Sequence, residues 1–119
     1  MKLLVFYNME KTRFGRRLMQ GFPAKYHAIF GVGIMSFTGA KERVSESLVK
    51  HELIHHYQAQ REGWLRWTVN YYRETLRFGY MDNRYEVEAY ARMSEPLTTE
   101  ERKLVDRPFT RDSWLPVQP

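Results

Sequence analysis

The octapeptide HELIHHYQ, residues 51–58, contains most of the side chains in this sequence that are suited to metal chemistry. On a helix, His51 and His55 lie one turn apart on one face, where two imidazole nitrogens can converge on one metal ion. Glu52 lies about 100° around the helix from His51 and so flanks that ion. Its carboxylate could accept a proton from a water molecule bound to the metal. The HExxH pattern therefore predicts a metal site with Glu52 as the general base.

The alternative interpretation of this octapeptide is a polar helix face without a metal. Because the chain has only 4 histidines and three of them lie here, the clustering favours the metal site. His56 points about 100° away from His55, and we expect it to be partly exposed and to have no part in the site. Gln58 lies three residues after His55, where it could orient the ligand imidazole or remain an ordinary solvated side chain.

The third ligand has to come from elsewhere in the chain. A catalytic zinc ion takes three protein ligands and keeps a fourth position open. Since the chain has no cysteine, the third ligand must be a carboxylate or His27. In NRYEVEAYARM, residues 83–93, Glu86 shares its helix face with the small apolar Ala89. We therefore predict that Glu86 points inward and completes a site for one Zn²⁺ ion.

Two other glutamates remain alternative third ligands. Glu88 shares its helix face with Arg92, and we expect it to point outward. Glu74 lies between Arg73 and Arg77 and is more simply interpreted as a surface ion-pair partner.

The element that must carry the HExxH residues is a helix over about 46–62. Ser45 is a typical N-cap for it, and Gly63 occupies the usual position just after its last turn. The same kind of pattern, with breaks at glycine and proline, predicts further helices over about 10–20, 64–78, 84–94 and 99–105.

Two segments before that helix have the composition of strands. Residues 3–7 are a short run of strand formers, and residues 25–37 combine aromatic and β-branched residues. The second segment is predicted to be an edge strand or a hairpin, with Gly31 and Gly33 on one bare face that could allow close approach of a substrate strand or mark a bulge. The predicted fold is α+β, with a small antiparallel sheet packed on the HExxH helix.

Length and composition indicate one globular domain. The chain has 119 residues, of which 43% are hydrophobic and 28% charged. We assign residues 1–107 to a single domain and residues 108–119, with three prolines, to an extended C-terminal tail. The apolar run near the start is shorter than a signal-peptide core, and no stretch is long enough to span a membrane. With no cysteine either, the prediction is a cytoplasmic protein.

The net charge of +5 suggests an anionic neighbour such as nucleic acid, although a basic surface in contact with solvent only is the simpler interpretation. Aromatic residues between 64 and 80 are expected to lie mainly in the core. The alternative for that segment is a cleft wall or an interfacial surface beside Arg66, Arg73 and Arg77.

Residues 44–94 resemble the small bacterial and phage zincin-like domains of the gluzincin type. In that family a helix of the form HELxHxxQ precedes a segment close to N-P-x-E-x-E-A, and the matching segments here are HELIHHYQ and NRYEVEAYA. The resemblance implies a zincin-like fold in which His51, His55 and Glu86 bind zinc and Glu52 is the general base. Arg84 stands where the family often has proline.

The spacing from Glu86 to Ala89 also resembles that of membrane-bound HExxH peptidases, in which an aspartate follows the alanine and supports a ligand histidine. This chain has Tyr90 at that position, so the resemblance implies a supporting role that a tyrosine would have to fill.

Together these patterns predict a zinc metallopeptidase that hydrolyses peptide or protein substrates. Stabilisation of the oxyanion would require a further donor, and the sequence does not choose among several tyrosines and His27. Two alternatives remain. One is a zinc-binding module of zincin-like fold that recognises a protein partner without cleaving it, and the other is a peptidase associated with nucleic acid.

Overall fold

A computed structural model of the chain describes residues 1–106, so the predicted tail over 108–119 lies outside the described residues. The first part of the chain forms a three-stranded sheet from β1 (Lys2–Phe6), β2 (Ala24–Ile29) and β3 (Val32–Phe37). The strands lie in the order β1-β3-β2, which places β2 at an edge and β3 in the centre.

The sheet is mixed, so the prediction of an antiparallel sheet was wrong for one of its two strand pairs. β2 and β3 form an antiparallel hairpin, whereas β1 runs parallel to β3. The chain leaves β1 through a 3-10 turn and helix α1 (Arg13–Met19) and re-enters the sheet at its far edge, so β3 ends up running in the same direction as β1. Strand composition does not encode this direction.

The two glycines of the hairpin have different roles and do not share a strand face as predicted. Gly31 follows Phe30 in the two-residue turn, where both residues have positive φ angles of 79° and 49°. Gly33 lies in β3, where an added Cβ would come within 2.3 Å of Nδ1 of His56. Gly33 therefore makes room for a buried histidine and not for a substrate.

The helices follow the predicted ranges closely. They are α2 (Glu46–Glu62), α3 (Trp64–Phe78), α4 (Arg84–Arg92) and α5 (Thr99–Val105). Ser45 caps α2 by accepting a hydrogen bond from the backbone N–H of Leu48 at 3.2 Å. The predicted helix over 10–20 is instead a 3-10 turn followed by α1, and the break falls at Thr12, which caps α1.

Helix α2 lies at the centre of the domain, against the sheet, α3 and α4. Its apolar side chains Leu53 and Ile54 are fully buried, which anchors the turns that carry the HExxH residues. Among residues 1–106 no helix has the length and apolar character needed to cross a membrane. The core cluster includes Val5, Met35, Phe37, Val49, Leu53, Ala59, Trp67 and Tyr85.

Candidate metal site

The structure brings His51 and His55 of α2 together with Glu86 of α4, and all three are buried. Oε1 of Glu86 lies 2.9 Å from Nε2 of His51 and 3.2 Å from Nε2 of His55. Ala89, one turn after Glu86, is fully buried, and its small side chain permits the close packing of α4 on α2.

The donor set fits a tetrahedral zinc ion. Bonds of about 2.0–2.2 Å to nitrogen and oxygen place neighbouring tetrahedral ligands roughly 3.3–3.6 Å apart. The distances from Oε1 of Glu86 to the two imidazole nitrogens are slightly shorter than this, and all three donor atoms lie within 4.8 Å of one another. Two imidazoles and one carboxylate are also the ligand types that zinc accepts in hydrolytic sites.

Gln58 controls which ring nitrogen of His55 faces this site. Its amide group donates to the carbonyl of Tyr85 at 3.0 Å and to Oε1 of Glu88 at 2.7 Å. Its Oε1 therefore faces the other way, where it accepts from Nε1 of Trp67 at 3.2 Å and lies 2.9 Å from Nδ1 of His55. Since Oε1 can only accept, Nδ1 of His55 carries a proton in both charge states of the ring. In the neutral imidazole Nε2 therefore keeps a lone pair for a metal, whereas in the protonated ring Nε2 donates to Glu86.

The second imidazole is held differently. Nδ1 of His51 is buried and has no hydrogen-bond partner among residues 1–106. The ring of Tyr90 packs edge-on against the His51 ring at 4.5 Å between centroids, while the Tyr90 hydroxyl lies 3.3 Å from that of Tyr80. Tyr90 thus contacts a predicted ligand through its ring and not through its hydroxyl.

Glu86 is held in its ionised form by the groups around it. Burial alone would raise the pKa of its carboxyl, but hydrogen bonds with His51 and His55 outweigh this effect and lower that pKa. The hydroxyl of Tyr71 donates a hydrogen bond to Oε2 of Glu86. Asn83, fully buried, holds the backbone of Tyr71 by donating to its carbonyl at 3.0 Å.

Glu52 differs from Glu86 in having no hydrogen-bond partner among the described side chains. Its burial raises its pKa to about 7, against the opposing effect of His55 and His51. A carboxylate with a pKa near neutrality can both take up and release a proton at physiological pH.

Glu52, His55 and Glu86 line one cleft of about 430 Å³. The edge strand β2 forms one wall of this cleft, and α3 contributes Trp67 and Tyr71 to the other. Because titratable groups with perturbed pKa values meet here in a concave, largely aromatic space, this cleft is the main candidate for a functional site.

His56 was wrongly predicted to be partly exposed. It is buried beneath β3, where its Nδ1 lies 2.9 Å from the hydroxyl of Tyr26. Burial, together with the nearby N-terminal amine, lowers the pKa of His56 to about 4. The bare Cα of Gly33 provides the space for this pair, and that long-range fit is not visible in the helical spacing of residues 51–58.

The two alternative third ligands lie away from the three donor atoms. Glu88 does not point fully outward as expected, because it accepts the Gln58 amide and lies 3.5 Å from both Arg61 and Arg92. Glu74 is not paired with its neighbouring arginines as expected. It accepts instead from the backbone N–H of Arg84 at 3.1 Å, at the start of α4.

Of the donors considered for an oxyanion, Tyr72, Tyr80 and His27 line the cleft, and Tyr71 is already engaged with Glu86. Tyr57 lies apart and donates to Glu101 at 2.6 Å. The aromatics of α3 are divided, since Trp67 is buried whereas Tyr72 and Phe78 are exposed.

Sequence reasoning missed Trp67 and Asn83 as supports of this site. Asn83 could have been noticed as an N-cap signal before α4, but the contact of Trp67 with Gln58 joins two helices and has no local pattern.

The chain was compared with protein-family models, with curated proteins and with solved structures, and none of the three comparisons gave a match.

Proposed function

We propose that the protein is a zinc-dependent metallopeptidase of gluzincin type, with His51, His55 and Glu86 as the zinc ligands. The observation that carries this proposal is the convergence of three buried donor atoms beside a cleft that is lined by Glu52, whose carboxylate has no hydrogen-bond partner within residues 1–106. When bound, zinc would supply a Lewis acid that makes water a nucleophile near neutral pH.

Glu52 is the general base in this proposal. Its raised pKa of about 7 suits a group that takes a proton from the attacking water and passes it to the leaving amine. Gln58 and Tyr71 are positioning residues, because one orients the imidazole of His55 and the other holds the carboxylate of Glu86. Tyr80, which lines the cleft and has its hydroxyl directed at Tyr90, is available to stabilise an oxyanion.

The edge strand β2 supports a peptide as the substrate. In this hairpin the closing pair Ile29–Val32 is hydrogen-bonded, so every second residue of β2 directs its backbone groups away from β3. Thr68 occupies one of these groups by donating to the carbonyl of Ala28 at 3.3 Å. Those of Ala24 and Tyr26 have no further hydrogen-bond partner within residues 1–106, and both residues line the cleft, where a peptide could pair with them as an added strand.

Metal analysis tests the ligands. Wild-type protein purified without chelator is expected to contain about one zinc per chain, and His55→Ala and Glu86→Gln are expected to lose it. Glu88→Gln and Glu74→Gln are matched controls that keep the metal. A metal-free wild type would refute the proposal, and another divalent ion at the same ligands would change only the identity of the metal.

Turnover tests the role of Glu52. A mixture of unstructured peptides is incubated with the protein, and cleavage is followed by mass spectrometry. Glu52→Gln is expected to retain the metal and to lose activity by about a hundredfold or more. A wild type that binds zinc but cleaves no peptide would instead favour a zinc-binding module that recognises a protein partner.

A further inference from the structure

Helix α3 carries an apolar stripe on its outer face. Leu65, Val69, Tyr72 and Leu76 follow one another at spacings of four, three and four residues, so they lie along one side of the helix. All four are exposed, with Leu76 87% and Leu65 58% accessible to solvent. Within residues 1–106 about half or more of each of these four side chains is left accessible to solvent, which is unusual for apolar residues in a row.

Three arginines form the next stripe around the same helix. Arg66, Arg73 and Arg77 are exposed, and none of them forms an ion pair within residues 1–106. Glu74 is the single acidic residue of α3, and it is turned toward the backbone of Arg84. The outer face of α3 is therefore half apolar and half cationic, without a compensating negative charge.

This face is continuous with the mouth of the cleft. Tyr72 belongs to the apolar stripe and also lines the cleft. At the N-terminal end of α3, Phe30 at the tip of the β2–β3 hairpin is 84% exposed and packs on Trp64 at 5.3 Å between ring centroids. Across the cleft, the exposed Phe22 lies beneath the ammonium of Lys25 at 5.2 Å.

The charge pattern of this face of α3 indicates which kind of partner it binds. A second copy of the chain would bring arginine stripes together without any acid on this face to pair with them. Nucleic acid would satisfy the arginines but has no use for exposed Leu65, Val69 and Leu76. A bilayer containing anionic lipid satisfies both halves, because apolar side chains enter the acyl boundary while arginines reach the phosphates.

We propose that the outer face of α3 docks the protein onto the surface of a membrane rich in anionic lipid. Docking would place the cleft mouth at the bilayer surface through Tyr72. If the proposed peptidase function also holds, the substrate would be a peptide segment presented at that surface. The docking itself depends on neither the metal nor Glu52.

Vesicle co-sedimentation of the full chain tests the docking. Vesicles of phosphatidylcholine alone are compared with an equimolar mixture of phosphatidylcholine and phosphatidylglycerol. Binding is expected only to the anionic vesicles. It is expected to weaken steeply as salt rises from about 0.01 M to about 1 M, which shortens the screening length from about 30 Å to about 3 Å.

Two variants test the cationic half and the apolar half of this face separately. The triple variant Arg66→Gln, Arg73→Gln, Arg77→Gln is expected to lose on the order of a hundredfold in affinity for anionic vesicles. A charge-matched control replaces the exposed Lys2, Lys11 and Lys103 with glutamine and should lose no more than about threefold.

The apolar half is tested by Val69→Ser with Leu76→Ser, which is expected to weaken vesicle binding by about tenfold or more. Val87→Ser with Leu104→Ser removes exposed apolar residues from α4 and α5 and serves as the control. Far-ultraviolet circular dichroism confirms that each variant is folded.

Several results would overturn the docking proposal. The proposal is wrong if the wild-type protein stays in solution with anionic vesicles at low salt. It is also wrong if the arginine variant and the apolar variant both bind vesicles as well as wild type does. Arginine-dependent binding to an oligonucleotide without vesicle binding would assign the face to nucleic acid. A dimer abolished by Leu76→Ser would assign it to a second copy. The Glu52→Gln variant should still bind vesicles. A failure of the peptidase proposal can therefore be distinguished from a failure of the docking proposal.

Discussion

Two carboxylates are buried on opposite sides of helix α2, and their surroundings shift their pKa values in opposite directions. Glu101 of α5 accepts two hydrogen bonds from Nζ of Lys50 at 3.0 and 3.1 Å, one from Tyr57 and one from the backbone N–H of Thr98. Burial raises its pKa, but these donors outweigh burial and lower it. Among residues 1–106 Glu52 has no such donors, and burial raises its pKa to about 7.

The difference separates a cluster that stabilises the fold from the cluster that we propose to be reactive. Around Glu101, the buried carboxylate is paired with the ammonium of Lys50, and each hydrogen-bond donor has an acceptor. This cluster therefore holds α5 against α2 and leaves no group free to bind another molecule. Within residues 1–106, the carboxylate of Glu52 has no hydrogen-bond partner and faces the cleft, and the buried Nδ1 of the neighbouring residue His51 has none either. Buried polar groups without hydrogen-bond partners are typical of functional sites.

The largest expected change in stability comes from breaking the hydrogen-bonded cluster around Glu101. Glu101→Gln leaves the buried ammonium of Lys50 with the more distant Glu95, at 3.9 Å, as its one remaining carboxylate within residues 1–106. We therefore expect the free energy of unfolding to fall by about 3 kcal/mol. Urea denaturation followed by circular dichroism measures this. The double variant with Lys50→Met should recover part of the loss, whereas a loss below about 1 kcal/mol for Glu101→Gln would contradict the assignment.

The reactive carboxylate should have the opposite effect on stability. The pKa of Glu52 rises from about 4.3 in the unfolded chain to about 7 in the fold. Its protonated form therefore favours folding at low pH, and this contribution is lost as pH rises from about 4.3 to about 7. In chelator at pH 8, Glu52→Gln should be more stable than wild type by about 2 kcal/mol, which is roughly half of what about 1.36 kcal/mol per pKa unit would give, because the new amide is also buried without a hydrogen-bond partner within residues 1–106.

Denaturation at several pH values checks this expectation. The advantage of Glu52→Gln over wild type should shrink as pH falls towards about 4. Because the pKa of Glu101 is lowered in the fold, its contribution is instead lost as pH falls below the ordinary range of a glutamate. A Glu52→Gln variant that is less stable than wild type at pH 8 would contradict the difference between the two carboxylates.

The smallest expected effect is a loss of zinc affinity when Gln58, which orients His55, is replaced. Gln58→Met removes the acceptor of Nδ1–H of His55 while retaining a side chain of similar length. We expect zinc affinity, measured by competition with a chromogenic chelator, to fall by about 10- to 100-fold. Gln60→Met, at an exposed position two residues along α2, is the matched control. Equal zinc affinities in the two variants would show that Gln58 does not orient the ligand.

Local patterns predicted much of this arrangement because they act within a few residues. The bounds of α2 and α3 follow from Ser45, Gly63 and Gly79, whose capping and termination effects are local. The inward orientation of Glu86 could be predicted from Ala89, since both lie on one face of α4. For the same reason the spacing of His51 and His55 was sufficient to place their rings side by side.

Tertiary contacts decided what no local pattern encodes. His56 is buried because Gly33 and Tyr26, distant in sequence, leave a space of its size and a hydroxyl for its ring nitrogen. Glu74 faces Arg84 because the turn between α3 and α4 brings that backbone N–H within reach.

The sequence by itself therefore determined the helices and the residue types of the candidate site, because capping and helical periodicity depend on near neighbours. Only the tertiary structure determined the parallel pairing of β1 with β3, the partners that orient Gln58, and the lack of hydrogen-bond partners for Glu52 in the part of the chain that the structure describes. These features depend on which distant segments meet, and that is set by packing of the whole core around α2.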